Sequence, residues 1–147
     1  MSIVSKNMEI NAPKEKVFEV VTNPDNWTRY VASLVDVSDR SPDIPAKGST
    51  FSWKYRMMGF SFGGEGTVTE NVHAESFSME LKSKFPIKES YKFKDSDHGT
   101  TILEVTIDYE MPGPMQTLLG DSRVMEKMND IEANSVLEKI RLLSEST

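Results

Sequence analysis

The chain has 147 residues and a mass of 16.6 kDa, the size of one ordinary domain with room for a buried core. With 37% hydrophobic residues, 27% charged residues and a mean hydropathy of −0.43, it reads as neither disordered nor membrane-spanning, and no apolar run approaches the ~20 residues a bilayer span needs. A net charge of −6 with a pI near 5.0 argues against a nucleic-acid partner, and the lack of cysteine excludes disulfides, thiolate zinc sites and cysteine nucleophiles.

The first residues alternate, with Val4, Met8 and Ile10 on one side and Ser5, Asn7 and Glu9 on the other, which predicts a half-buried strand. Asn11-Ala12-Pro13 then supplies a cap residue and a proline for a helix whose apolar stripe is Val17, Phe18, Val20 and Val21. Asn23 and Pro24 repeat that signal and start a second short helix through Trp27 and Tyr30. The opening has no apolar core followed by a small-residue cleavage site, so no secretory signal is expected, and a cytoplasmic location is.

From Leu34 to Met111 the pattern is consecutive strands: Leu34 to Arg40, Thr50 to Met57, Phe60 to Val72, Ser76 to Lys84, Ile87 to Lys94 and Thr100 to Met111. Turn-forming stretches separate them, among them SPDIPAKG, Met58-Gly59 and DSDHG. Seven strands in mostly short hairpin order predict one antiparallel sheet. Pro114 to about Leu143 reads as a long helix, with Gly120 as a candidate kink. Its expected apolar stripe is Leu118, Met125, Met128, Val136, Ile140 and Leu143, opposite Arg123, Lys127, Asp130, Asn134 and Arg141. There is no repeat, low-complexity tract or linker, so 1–147 reads as one domain.

Alternation also predicts what the sheet presents inward. Phe51, Trp53, Tyr55 and Met57 share one face; Phe60, Phe62, Gly64, Gly66 and Val68 follow, then Phe77, Met79 and Leu81. Ile87, Tyr91 and Phe93, and finally Leu103, Val105, Ile107 and Tyr109, complete it. The face is rich in aromatic residues and methionine, with only the long helix expected to cover it. Tyrosines need partners for their hydroxyls, and inward glycines leave room where a side chain would fill it. The pattern fits either a solid aromatic core or a cavity.

The order strand, two short helices, six strands, long closing helix resembles the helix-grip fold of the START-like superfamily, which includes the birch-pollen allergens and polyketide cyclase/dehydrase-like proteins. INAPKEKVFEVVTNPDNWTRYV is similar to that superfamily's opening, and IDYEMPGPMQTLL with the helix ending in LEKIRLLSE is similar to its close. The resemblance spans essentially the whole chain. It implies an α+β fold in which a seven-stranded curved antiparallel sheet wraps around a long C-terminal helix. It also implies a cavity between them. The superfamily holds carriers, receptors, cyclases and chaperone activators, so it specifies the fold far better than the function.

Few residues suggest chemistry. His73 and His98 read as residues of two separate turns, and neither belongs to a Ser-His-Asp or metal-ligand pattern. The glycines of GFSFGGEG precede no helix and lack Gly-Lys-Ser/Thr, so they form no phosphate loop. Accordingly no metal and no cofactor are expected. Lys82, Lys84, Lys88, Lys92 and Lys94 gather on the outward face, either pairing with Glu80, Glu104 and Asp108 across strands or docking to anionic lipid.

On the closing helix Glu132 lies near the centre of the apolar stripe, with Asp121 close to the same line. On the sheet Glu89 shares parity with Ile87, Tyr91 and Phe93, and Lys6 shares it with Val4 and Met8. A carboxylate facing an aromatic space can orient a ligand hydroxyl or act as a general acid; equally, it can be a structural group bonded to a buried hydroxyl or to Lys6. The leading expectation is binding or transport of a small hydrophobic ligand (a lipid, isoprenoid or polycyclic aromatic). The expected lining is Phe51, Trp53, Tyr55, Phe62, Phe77, Met79, Tyr91, Phe93, Val105, Tyr109, Leu118, Met125, Met128 and Glu132. Two alternatives stand beside it: a cyclase/dehydrase-type enzyme using Glu132 or Tyr91, and an adaptor that binds a protein partner of unknown identity.

Overall fold

The structure, a computed structural model, describes residues 2–57, 59–83, 86–109 and 122–146. Strand β1 (Ser2–Ile10) is followed by helices α1 (Lys14–Thr22) and α2 (Pro24–Tyr30). Strands β2 (Leu34–Ser38), β3 (Thr50–Met57), β4 (Phe60–Val72), β5 (Ser76–Lys82), β6 (Ile87–Asp95) and β7 (Thr101–Tyr109) come next. Helix α3 (Ser122–Glu145) closes the described chain. The expected helix start at Gly113-Pro114, the kink at Gly120 and the residues Leu118 and Asp121 lie outside the described residues, as does Lys84.

All seven strands form one antiparallel sheet in the order β1-β7-β6-β5-β4-β3-β2. β1 pairs with β7 along its whole length, from Ser2 opposite Tyr109 to Ile10 opposite Thr101. The chain must therefore pass from one edge strand, β1, to the other, β2, and α1 and α2 make that passage. Register shifts between Leu34 and Asp36 and between Val68 and Glu70 mark bulges, which bend strands locally. On the outer face Lys88 lies opposite both Glu80 and Asp108, and Lys92 opposite Glu104, as cross-strand charge pairing requires.

Two helix starts behave differently. Asn23 caps α2 as expected, its side-chain oxygen accepting from the Asp25 amide at 3.0 Å. At α1 the cap position is Pro13, not Asn11, and no side chain caps it. The Asn11 amide donates instead to Glu145 at 2.9 Å, joining the end of β1 to the last turn of α3. β2 also stops two residues early, where Asp39 takes a positive φ of 48°.

Coverage of the aromatic face departs from the sequence expectation. α3 packs on β1, β7, α1 and α2, while α1 reaches β6 and α2 reaches β2. Trp27 and Tyr30 of α2 are almost fully buried. The Trp27 ring stands 5.0 Å from Phe51 and 6.1 Å from Phe77, and Phe18 of α1 stands 5.2 Å from Phe93. The long helix is thus one of three covers, because the passage between sheet edges carries two helices over the same face. Helical periodicity of α1 and α2 is legible in the sequence; their span across the sheet depends on β1 and β2 being opposite edges.

The glycines differ too. A Cβ on Gly66 would come within 2.3 Å of the Phe51 ring, and one on Gly64 within 1.9 Å of the Lys82 carbonyl oxygen. These positions do not leave space; close approach of a ring and of a neighbouring strand already occupies it.

Candidate functional site

β6 alternates Ile87, Glu89, Tyr91 and Phe93 into the interior, so its one acid is carried in by strand parity. Glu89 is 5% exposed, and it is the only acidic or basic side chain fully buried among the described residues. Tyr55, brought in from β3, donates to Glu89 Oε1 at 2.9 Å; Tyr91 donates to Oε2 at 3.5 Å. Tyr30 stands against Tyr91, ring centres 6.2 Å apart, and donates its own hydroxyl to the Val21 carbonyl at 2.8 Å. Two strands and a helix therefore bring three phenols together around one carboxyl.

Burial pushes the Glu89 carboxyl up to about 7; the Tyr55 hydrogen bond pulls it back and the charge of Glu132 adds to the rise. Tyr30, Tyr55 and Tyr91 are all held well above the usual phenol range, first by burial and then by the neighbouring Glu89 charge. The phenols remain donors at any ordinary pH, while the carboxyl exchanges its proton near neutrality. Such a group can donate to, accept from, or transfer a proton to a polar ligand atom.

Glu132 is half-buried, and its Oε1 accepts from the Ser33 amide at 3.3 Å. It therefore ties α3 to the loop after α2 while remaining within electrostatic reach of Glu89 and Tyr55. Lys6, considered as a partner for Glu132, instead pairs with Asp130 at 3.6 Å. The face of α3 turned to the interior runs through Asn129, Ala133, Val136, Leu137 and Ile140, with Met128 and Leu143 half-buried beside it. Asn129 donates to the Tyr109 hydroxyl. The side chain of Met125 lies outside the described residues.

Two spaces adjoin this cluster. An enclosed cavity of about 10 Å³, the size of one water, is lined by Trp27, Tyr30, Val31, Leu34, Phe51, Tyr55, Met79, Leu81 and Glu89. An open cleft of about 670 Å³ runs along β2, β3 and β4; outward-facing Val35, Ser52, Lys54, Arg56 and Ser61 line it together with Trp53, Tyr55 and Phe62. Tyr55 belongs to both. Trp53, Tyr55 and Phe62 form one ring cluster, with centres 5.3 to 6.0 Å apart, and the Trp53 indole donates to the Glu65 carbonyl at 3.0 Å.

The structure thus divides the residues named from sequence. Tyr55, Tyr91, Met79 and Glu132 surround Glu89, and Trp53 and Phe62 flank them. Phe51, Phe77 and Phe93 pack against α1 and α2, while Val105 and Tyr109 are buried in β7. Parity places Glu89 inside, yet nothing in the sequence singles it out from Glu132. Tyr30 was not anticipated; its signal is the spacing of three from Trp27, which puts both on one face of α2. Asn129 carries no signal, since one step around the helix separates it from the expected stripe.

Comparison with known proteins accords with this architecture. Among curated proteins no sequence matches the chain significantly. A protein of Thermus thermophilus superposes with a TM-score of 0.80 at 14% identity, over 99% of this chain and 98% of that one. The Zhui aromatase/cyclase from a Streptomyces species gives 0.75 at 13% identity, over 98% and 93%. A START superfamily protein from Mycobacterium smegmatis gives 0.68 at 18% identity, over 96% and 98%. At these identities the likeness is one of fold, and it is the helix-grip fold. The family model for polyketide cyclase / dehydrase and lipid transport matches residues 1–145, and the chain belongs to that family.

Proposed function

We propose that the protein binds a small, largely apolar ligand between the sheet and α3, and orients its polar end through Glu89 and Tyr55. One observation carries the reading: a buried carboxyl ringed by phenols on an otherwise apolar wall. An acid taken out of water destabilises a merely structural core, so its retention there favours a role toward a ligand. Trp53, Phe62, Met79 and Met128 supply apolar contact in this reading. Burial of the ligand's apolar surface, at about 25 cal/mol per Å², contributes most of the affinity. The acidic composition accords with a protein that acts in the cytoplasm as one domain over 1–147, without nucleic acid.

A second reading, proton-transfer catalysis of the cyclase/dehydrase type, is favoured by the Glu89 carboxyl lying near neutrality, where a general acid is most effective. Native mass spectrometry of the purified protein, with organic extraction of any copurifying molecule, tests binding directly. Retention of a small apolar molecule supports it; failure to bind any apolar probe overturns it. Glu89→Gln then separates the two readings. A carrier keeps its affinity within about threefold, whereas an enzyme that uses this proton keeps its affinity and loses about 100-fold in turnover.

A further inference from the structure

The wall around Glu89 is one-sided in charge. Tyr55 from β3, Tyr91 from β6, Tyr30 from α2 and Glu132 from α3 face its carboxyl, and none of them is a cation. Among the described residues no Lys, Arg or His is fully buried. Among the described residues Lys6 is the one basic residue at an inward-facing strand position, and Asp130 already holds its ammonium at 3.6 Å. Lys54 and Arg56 alternate to the opposite face of β3 from Tyr55; they are exposed and line the open cleft that Tyr55 also borders, not the space against Glu89. Arg123 and Lys127 of α3 are exposed as well. Lys84 is the one basic residue outside the described set.

An anionic headgroup brought to this wall loses its water and meets carboxylates in place of a counter-charge. A hydroxyl or an ammonium meets two carboxylate acceptors there. We infer that the Glu89 wall selects apolar molecules whose polar end donates a hydrogen bond — alcohols, phenols or amines — and rejects carboxylates. This inference rests on the ligand-binding function proposed above and specifies the class of ligand.

The test is displacement of a neutral fluorescent probe, N-phenylnaphthylamine, by dodecanol, dodecylamine and dodecanoate, which differ only at the head. At about pH 8, where Glu89 is mostly ionised, the alcohol and the amine displace the probe at least about tenfold more tightly than the carboxylate. In Glu89→Gln, with its fold verified by circular dichroism, the gap narrows to within about threefold. Should that variant not fold, the same series is run on Glu132→Gln, which removes the second acid and narrows the gap in part. Dodecanoate binding as tightly as dodecanol to the unsubstituted protein overturns the inference. So does a gap that neither variant changes. Absence of probe binding overturns the binding function itself, a distinct outcome.

Discussion

At Glu89 a single side chain links protonation to folding. Unfolded, a glutamate ionises near 4.5; folded, this one is pushed up to about 7. Between those values the folded state holds a proton that the unfolded state has released. Stability is therefore greatest below the lower value, falls as pH rises through the window, and levels off above the upper one. The contribution lost across that window is about 3 kcal/mol, since each pH unit between the two values is worth about 1.4 kcal/mol. Glu89→Gln, neutral throughout, removes most of this slope, and urea unfolding at several pH values checks it. A variant whose slope matches that of the parent contradicts the assignment. Tyr55→Phe acts in the opposite sense. The hydroxyl favours the charged carboxylate, so its loss extends the falling limb to higher pH at its upper end and costs about 1–3 kcal/mol above it, but little in acid.

At the scale of elements, two glycines decide how closely β4 approaches its neighbours. Gly64 faces the rigid Lys82 carbonyl of the neighbouring strand, whereas Gly66 faces the far end of the Phe51 side chain. Gly64→Ala therefore destabilises by about 2–3 kcal/mol, and Gly66→Ala by less, since only the first forces strands apart. Thermal unfolding of the pair ranks them, and the reverse order would show that the Phe51 ring cannot move. The Asn23 cap invites a similar test. Asn23→Ala leaves the Asp25 amide without its acceptor and costs about 1 kcal/mol. Because α2 carries Trp27 and Tyr30 onto the aromatic wall, the same change should also loosen apolar-probe binding.

For the whole molecule, α3 holds together elements that are far apart in sequence. It packs on β1, β7, α1 and α2, ties its Glu132 to Ser33, and receives the Asn11 amide at Glu145. Leu137 is fully buried in this contact. Leu137→Ala is expected to cost about 2–5 kcal/mol and to lower the midpoint of one cooperative transition, since α3 joins β1, β7, α1 and α2 in a single packed unit. Fluorescence and circular dichroism should report the same midpoint. Two separated transitions would show that the sheet stands without α3.

Local patterning suffices for the strands, the three described helices and their order, because period-two alternation and capping residues are properties of short stretches of chain. It suffices also to turn Glu89, Tyr55 and Tyr91 inward, because side-chain direction follows strand parity once one face is apolar. That these three meet is another matter. Residues 55, 89 and 91 converge only through the registers that stack β3 through β6 side by side, and Tyr30 joins them only because α1 and α2 must cross from one sheet edge to the other. For the same reason the relative weight of the two candidate acids was illegible. Glu132 looks central on a helical wheel, but the wheel cannot show that Ser33 and the protein surface lie beside it, while tertiary packing encloses Glu89 among phenols and removes it from water. Desolvation gives that carboxyl its chemistry, and desolvation is a property of the folded whole.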